Sequence, residues 1–348
     1  MDEADQGVVS WESAVPLNTA KMLPNLVKDC EACFRAREAS AQAAEYSHGT
    51  TYWIDADAEP QCLLEQLVLS ILHAHDKDLA STDGVSRGAE WWSLAIDVDD
   101  EVGFHFDKDY GRESEHRINV TPAYATITYL SSEGNATLIV EKPCPPHAGE
   151  PLDDGKPIQA AWLCFPRPGK HVRFRGSWLH GAPTLDLPQP QASATLMRPP
   201  PPEPLPSKAS GQKPKHGRRK RVSLLANVWI GSKPLHAEAL PAEMARRLSP
   251  VLSKSPFSLG QPTADVVVAE RPAAGRRGKP LMSAAGVTAD RGERDFNFII
   301  AQEGAGESCL CIRLPLASIS EALATAGPGP SLTLRFGYGE ASCVDAPC

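Results

Sequence analysis

Residues 91–109 read WWSLAIDVDDEVGFHFDKD and hold two short apolar runs of β type separated by acidic turn residues. The same texture continues in YATITYLSS, ATLIVEKP, AAWLCFP, KHVRFRGSW and RVSLLANVWI, with Gly, Pro, Asp or Ser between the runs. No long helical stripe interrupts this series. Regularly spaced short strands with turn signals between them predict an antiparallel sandwich or barrel, not a parallel α/β sheet.

The sequence before residue 91 has a helical pattern instead. Residues 18–46 are rich in Ala, Glu, Lys and Arg, which predicts a helix broken near Pro24. After a short predicted strand, 51–55, apolar residues recur at helical spacing in 59–79 and predict a second helix. His73 and His75 fall at the end of this helix, where we expect solvated side chains that suit the helix dipole.

Composition limits the class of protein. The 348 residues are 42% hydrophobic, enough for a sizeable core, and the net charge of −8 disfavours nucleic-acid binding through bulk electrostatics. The start of the chain lacks a secretory signal pattern, and no apolar run approaches the ~18 residues of a membrane-spanning helix. We therefore expect a cytoplasmic or nuclear protein. Cys30 and Cys33 form a CxxC without a second ligand pair, which indicates half-buried helix thiols.

The segment GFHFDKD holds the first candidate for chemistry. If it is a strand, His105, Asp107 and Asp109 share one face and Phe104 and Phe106 the other. A neutral imidazole and a carboxylate two residues apart can reach one metal ion, as in the 2-His-1-carboxylate sites of non-haem Fe(II) oxygenases. The alternative is a charged strand end in which the histidine is hydrogen-bonded to an acid.

A third metal ligand is available further along the chain. His180 ends the segment PGKHVRFRGSWLHGAP, 75 positions after His105, which leaves room for the two to meet across a barrel. His171 is the competing candidate, but it directly follows a Pro-Gly turn, where we expect solvent exposure. His180 is therefore the preferred ligand.

Polar residues alternate with apolar ones in the strand RVSLLANVWI. Arg221, Ser223 and Asn227 share one face. A guanidinium that points into an apolar barrel needs a partner, and a dicarboxylate co-substrate would supply one through bidentate bonds. If this face instead points outward, Arg221 is the last member of the basic run KPKHGRRKR, and Arg219 is the alternate donor.

These elements in order, HxD, TITYLS, WLHGAP and RVSLLANVWI, resemble the Fe(II)- and 2-oxoglutarate-dependent dioxygenase superfamily, and more narrowly a eukaryotic branch of it with the motif HFDKD. The resemblance covers roughly residues 50–232. It implies a double-stranded β-helix, or jelly roll, closed by N-terminal helices. It also implies a set of site residues: His105, Asp107 and His180 as iron ligands, Arg221 and Ser223 on the distal carboxylate of 2-oxoglutarate, Tyr129 as a further donor, and Asn227 as a cofactor-binding candidate beside them.

The implied chemistry is the hydroxylation of an unidentified substrate with Fe(II), 2-oxoglutarate and O2, ascorbate as an optional further cofactor, and release of succinate and CO2. The sequence departs from the family pattern at one point. The gap between His180 and Arg221 is 41 positions and holds a Pro-rich basic insertion, 184–217. We expect this insertion to be an exposed polyproline-type loop, which an SH3 or WW module is able to bind, although a surface loop without a partner is the preferred interpretation.

The expected organisation is mainly β with flanking helices. Residues 1–50 form an N-terminal helical segment, 51–232 the jelly roll, and 233–348 a β-rich C-terminal extension. Two alternative functions remain. One is a non-catalytic jelly roll that binds partners through its Pro-rich loop. The other is a cupin-like metal-binding protein that does not use 2-oxoglutarate, and it predicts that Arg221 points to solvent.

Overall fold

The computed structural model describes residues 7–16, 21–40, 50–76, 85–185, 187, 219–269, 293–302, 306–327, 329–337 and 339–344. The strands are β1 (Val9–Trp11), β2 (Tyr52–Asp55), β3 (Arg87–Asp97), β4 (Val102–His105), β5 (Tyr124–Tyr129), β6 (Thr137–Pro143), β7 (Ala160–Cys164), β8 (His171–Arg175), β9 (Trp178–Ala182), β10 (Lys220–Ile230), β11 (Glu238–Ala239), β12 (Val266–Ala269), β13 (Glu293–Gln302), β14 (Gly306–Pro315), β15 (Ser331–Arg335) and β16 (Ala341–Val344). The helices are α1 (Met22–Ser40), α2 (Leu63–His75), α3 (Tyr110–His116), α4 (Ala242–Ala245) and α5 (Leu316–Thr325).

Eight consecutive strands, β3 to β10, form four nested antiparallel pairs. β3 pairs with β10, β4 with β9, β5 with β8, and β6 with β7. The pairs fall in two sheets, whose central strand orders are β8-β5-β10-β3 and β7-β6-β9-β4. A long hairpin folded over itself in this way is a jelly roll, or double-stranded β-helix. The predicted fold class is therefore confirmed.

Helices α1 and α2 cover the outer face of the first sheet. Alternate residues of β3 point outward, and the Ser93 hydroxyl donates a 2.8 Å hydrogen bond to the Cys30 carbonyl of α1. Cys30 and Cys33 are fully buried rather than half-buried, because they lie on the face of α1 that meets the sheet. Pro24 lies in the first turn of α1, where a proline does not interrupt helical hydrogen bonds, so the predicted break is absent there.

The C-terminal strands join the second sheet and cover its outer face. β12 and β15 extend that sheet beyond β7, while β13, β14 and β16 form a third sheet. Phe298 of β13 contacts Phe104 of β4, with ring centroids 4.9 Å apart. Strands were expected in this region, but α5 was not. The C-terminal residues therefore pack directly behind the strand that carries His105.

A buried lysine ties distant segments of the chain to one another. Lys170, in the turn before β8, is completely buried, and its Nζ donates to the Gly329 carbonyl at 2.6 Å and to the Phe165 carbonyl at 3.4 Å. The Glu12 Oε1 lies 3.6 Å from the same ammonium. One buried charge thus links the N-terminal segment, the barrel and the C-terminal residues.

Most of the Pro-rich insertion, 184–217, lies outside the described residues, and the structure does not address its predicted conformation. Among the described helices, none combines the length and the apolar character that a membrane crossing requires.

Candidate metal centre

Two histidines and a carboxylate converge inside the jelly roll. His105 ends β4, His180 lies in β9, and the two are direct partners in the antiparallel register. The Asp107 carboxylate lies between them, with Oδ1 3.6 Å from the His105 Nε2 and Oδ2 3.6 Å from the His180 Nε2. Among the described residues this is the one group of three potential ligands whose donor atoms all lie within 4.8 Å of each other.

Backbone carbonyls fix the orientation of both imidazoles. The His105 Nδ1 lies 2.9 Å from the Gly103 carbonyl oxygen, and the His180 Nδ1 lies 2.9 Å from the Trp178 carbonyl oxygen. Since a carbonyl only accepts, each Nδ1 carries the proton and each Nε2 presents a lone pair to the centre of the cluster. This is the arrangement in which histidines bind metal ions.

The donor set fits a divalent metal ion. The His180 Nε2 is buried and makes no hydrogen bond within the described part of the chain. Ligand atoms around one first-row ion, at about 2.0–2.2 Å each, are roughly 3 Å apart. The 3.6 Å separations are slightly wider, so small side-chain movements would close the cluster around an ion. The orphaned nitrogen gives a physical reason to expect one.

The second half of the opening motif folds differently from the predicted strand. β4 ends at His105, so Asp107 follows the strand instead of lying in it. Asp109 caps α3, where its carboxylate accepts from the backbone N–H and the side chain of Arg112, both at 3.0 Å. Residues 111–116 belong to this helix. Asp109 therefore anchors the helix and is not a member of the His105–Asp107–His180 cluster, while His116 is exposed.

The His105–Asp107–His180 cluster lies beside a cavity between the two sheets. The first sheet supplies Trp92, Leu94, Ile127, Arg221, Ser223 and Leu225, and the second Val102, His105, Thr137, His180, Gly181 and Ala182. The empty space measures about 400 Å³, including the part open to solvent. His105 and His180 thus share a single cavity with the polar side chains of Thr137, Arg221 and Ser223.

Arg221 forms the polar end of this cavity. It is only 3% exposed, and its guanidinium donates a 2.8 Å hydrogen bond to the Thr137 hydroxyl. No described carboxylate forms an ion pair with Arg221, and its Nε has no hydrogen-bond partner in the described residues. Burial lowers the pKa of this guanidinium. A Cβ on Gly134 would lie 2.7 Å from the Arg221 Cβ, so glycine there leaves room for the side chain. The result is a buried cation that lacks a counter-ion.

The other co-substrate candidates lie at different distances from Arg221. Ser223 lines the cavity, and its hydroxyl is buried without a hydrogen-bond partner among the described residues. The Tyr129 hydroxyl lies behind the cavity, bonded to Thr137 at 2.7 Å and to the Cys164 carbonyl at 3.1 Å. Asn227 shares the inward face but does not line the cavity. Arg219, the alternate donor, is exposed.

Sequence reasoning missed Thr137. Its hydroxyl joins Arg221 to Tyr129 and lines the cavity, so it fixes the guanidinium in place. The usable signal was a single hydroxyl residue at the start of the apolar strand TLIV, on the side that alternation turns inward.

The competing histidine lies on the opposite face of the first sheet. His171 is fully buried, not exposed, and its Nε2 lies 2.9 Å from the Nε2 of His75. β1 causes this burial, since Trp11 pairs with His171 and covers the edge of β8. His75 is equally buried, so the expectation of solvated histidines after α2 was wrong for this residue. His73 is exposed.

A buried carboxylate lies on the Asp107 side of the centre. Glu90 of β3 accepts hydrogen bonds from the Thr51 hydroxyl at 2.7 Å and from the Trp229 indole N–H at 3.1 Å. Burial raises the pKa of Glu90 to about 7, and the negative charge of Asp107 adds to this.

No protein-family model and no curated protein sequence match this chain. Among solved structures, a prolyl-4-hydroxylase from Pseudomonas putida aligns at 15% identity over 64% of this chain and 93% of its own, with a TM-score of 0.32. The non-haem α-ketoglutarate-dependent carbocyclase SnoK from nogalamycin biosynthesis aligns at 14% identity over 74% of this chain and 90% of its own, with a TM-score of 0.35.

EvdO2 from Micromonospora carbonacea var. aurantiaca, solved with 2-oxoglutarate, aligns at 12% identity over 69% of this chain and 92% of its own, with a TM-score of 0.31. The nested pairing of strands β3 to β10 defines the fold independently of these alignments.

Proposed function

We propose that this protein is a non-haem Fe(II)- and 2-oxoglutarate-dependent dioxygenase that hydroxylates its substrate. One observation carries the proposal: a single cavity holds both a His-Asp-His cluster and a buried arginine without an acid partner. Two nitrogen ligands and one oxygen ligand suit Fe(II) and leave coordination positions open. The arginine supplies a site for an anion at a distance from the metal.

His105, Asp107 and His180 would hold the Fe(II) ion, with the carbonyls of Gly103 and Trp178 keeping both imidazoles in the correct tautomer. Iron bound there would supply the oxidising chemistry, in which O2 and 2-oxoglutarate yield succinate, CO2 and the oxygen atom inserted into a substrate C–H bond. The protein contributes orientation and a largely apolar cavity that limits water.

Arg221 would bind the distal carboxylate of 2-oxoglutarate. A buried guanidinium without a counter-ion is costly, and a carboxylate that accepts two of its N–H groups removes that cost. The Ser223 hydroxyl, which is buried without a partner in the described residues, supplies a further donor on the same strand face. Thr137 and Tyr129 would act behind the guanidinium and keep it aimed into the cavity.

The decisive experiment measures metal binding, co-substrate binding and turnover separately. Anaerobic calorimetry should detect one Fe(II) per chain and then one 2-oxoglutarate, and admission of O2 should produce succinate. Asp107→Ala should lose metal binding, whereas Asp57→Ala, which removes an exposed carboxylate, should retain it. A wild-type protein that binds no Fe(II) would overturn the proposal.

The arginine has a matched control within the same strand region. Arg221→Met should weaken 2-oxoglutarate binding by about 100-fold, since two charge-assisted hydrogen bonds contribute about 3 kcal/mol, while Fe(II) still binds. Arg219→Met removes the exposed neighbouring charge and should change neither measurement. Equal effects of both variants would show that bulk charge, not a specific site, attracts the co-substrate.

The metal-only alternative expected Arg221 in solvent, but this residue is buried in the cavity. The structure therefore favours the reading that includes an anionic co-substrate. The interaction-module alternative depends on residues of the Pro-rich insertion that lie outside the described part of the chain.

A further inference from the structure

The cavity beside the metal cluster has a polar wall and an apolar wall. The polar side chains that line it are those of the two histidines and of Thr137, Arg221 and Ser223. The remaining described lining side chains are aliphatic, except for that of Trp92. The proposed function already uses every member of the polar wall. The apolar wall is therefore the part of the cavity left for a substrate.

The apolar pair Trp92 and Leu225 lies at the other end of the lining strands from Arg221. β3 and β10 are in register, so that Leu94 lies beside Ser223, and Trp92 beside Leu225. All four side chains line the cavity. Leu225 follows Arg221 by four residues on the same strand face, which places the two about 13 Å apart along the strand. A dicarboxylate bound at Arg221 would thus approach Ser223 before it reaches this pair.

The Trp92–Leu225 end is also the more open to solvent. Trp92 and Leu225 are each 7% exposed, compared with 3% for Arg221 and 1% for Ser223. The side chain of His105, which faces the same cavity, is 14% exposed. A molecule that enters from solvent therefore reaches the apolar pair and the metal cluster before the arginine.

The packing around this pair keeps both side chains in place. Leu225 belongs to a central strand, where it is paired with Trp92 on one side and with Ile127 on the other. The guanidinium of Arg37, a buried residue of α1, lies 5.9 Å from the centroid of the Trp92 ring, within the range of a cation–π contact. The apolar wall is thus formed before any ligand binds.

A wall of this kind selects the group that is placed against it. A hydrocarbon group gains free energy when it leaves water for an apolar surface. A charged group loses its hydration there, and the indole N–H of Trp92 is the one hydrogen-bonding side-chain group that the described apolar wall offers. An ammonium or a carboxylate at this position would therefore lack a counter-ion from the wall.

We propose that Trp92 and Leu225 form the substrate end of the cavity and bind an uncharged hydrocarbon group, aliphatic or aromatic, of the substrate. This inference rests on the proposed function, because it assigns the Arg221 end to 2-oxoglutarate. Charged groups of the same substrate remain outside the cavity.

The test compares three probes of similar shape: toluene, benzylammonium and benzoate. Each is titrated by anaerobic calorimetry into the full chain that holds Fe(II) and saturating 2-oxoglutarate. Toluene should bind saturably, and the two charged probes should bind at least about 10-fold more weakly because each loses its hydration against the apolar wall. Equal or tighter binding of either charged probe, or no saturable binding of toluene, would overturn the inference.

Variants of the wall locate the probe. Leu225→Asn should weaken toluene binding by at least about 10-fold, since it places an amide against the hydrocarbon. Leu225→Met, which keeps an apolar side chain of similar size, should restore most of the affinity. Leu252→Asn alters an exposed leucine and should leave toluene binding unchanged. Equal toluene affinity of Leu225→Asn and the wild type would also overturn the inference.

Binding of Fe(II) and of 2-oxoglutarate, measured in the same samples, separates this inference from the proposed function. Both should persist in the three variants. If Leu225→Asn loses Fe(II) binding, Trp92→Gln replaces it as the polar variant, with the same expected loss of toluene affinity. A wild-type protein that binds toluene at this wall but neither Fe(II) nor 2-oxoglutarate would contradict the proposed function alone.

Discussion

Two pairs of neighbouring histidines lie in the described part of the chain, one inside the barrel and one outside it. The inner rings, His105 and His180, have centroids 4.4 Å apart and are tilted by 56°, with a carboxylate between their Nε2 atoms. The outer rings, His75 and His171, are stacked 5.1 Å apart at 13°, and their Nε2 atoms are 2.9 Å from each other.

The two pairs differ in the hydrogen-bond partners of their ring nitrogens. Backbone carbonyls accept hydrogen bonds from both inner Nδ1 atoms, so both inner Nε2 atoms present a lone pair towards the Asp107 carboxylate, an arrangement that a cation among the three groups would stabilise. In the outer pair one Nε2 donates to the other, and the His171 Nδ1 bonds to the Thr128 hydroxyl at 2.8 Å. Burial alone therefore does not identify a metal ligand. The direction of the lone pairs does.

The largest expected effect is the loss of metal binding from the inner pair. His180→Gln should weaken Fe(II) binding by more than about 100-fold, because even loss of a group behind a metal ligand costs 10–100-fold. His171→Gln should leave the affinity unchanged. Anaerobic calorimetry measures both, and equal affinities of the two variants would remove the distinction between the pairs.

The outer pair should instead contribute to the stability of the fold. His171→Leu removes two hydrogen bonds and leaves buried polar atoms on His75 and Thr128 without partners, so the free energy of unfolding should fall by about 2–4 kcal/mol. Denaturant unfolding of the metal-free protein measures it. His180→Gln should change this value by less than 1 kcal/mol, and a larger loss there than in His171→Leu would reverse the comparison.

Acid should act on the outer pair through its histidine pKa values. Burial lowers the pKa of His75 to about 3 and that of His171 well below its usual value, and the charge of Arg173 adds to both shifts. The unfolded chain takes up these protons near pH 6.5, so the pair's contribution is complete above that pH and declines as the pH falls towards 3. The expected slope is at most about 1.4 kcal/mol per pH unit for each histidine.

Between pH 6.5 and 5, His75→Gln should lower the number of protons taken up on unfolding by about one, and the slope of the unfolding free energy against pH should fall accordingly. Unfolding at a series of pH values measures this slope. His116→Gln changes an exposed histidine and serves as the control. An unchanged slope in His75→Gln would mean that other groups carry the acid sensitivity.

The smallest expected effect concerns Thr128, which supports the outer pair from β5. Thr128→Val should lower the free energy of unfolding by about 1 kcal/mol, since it removes one hydrogen bond to a buried ring nitrogen. Denaturant titration resolves a change of this size. A stabilised variant would indicate that the His171 ring does not depend on this bond.

The inner pair was predictable and the outer pair was not, for identifiable reasons. His105 and His180 belong to strands whose sequence pattern is local, and their order along the chain fits a barrel. The exposure expected for His171 came from the preceding Pro-Gly turn. Its burial depends on Trp11, some 160 positions earlier, in a strand that the sequence did not reveal. Contacts across such distances leave no local pattern.

The local sequence pattern also failed to predict the structure that directly follows His105. Alternation predicted that Asp109 would share a face with His105, but the strand stops there and Asp109 caps α3. An Asp followed by acidic and polar residues is an N-cap signal, which the strand interpretation overrode. The role of Thr137 depends on Arg221, 84 positions away, so only the fold could reveal it.

The buried ammonium of Lys170 determines where this chain can be shortened. A protein that ended at residue 232 would lose β15, which leaves the edge of β7 unpaired, and would remove the carbonyl of Gly329 from an ammonium that is completely enclosed. We therefore expect the barrel expressed by itself to aggregate. Replacing Lys170 with methionine in that shortened protein would test whether the buried charge or the unpaired strand edge is responsible.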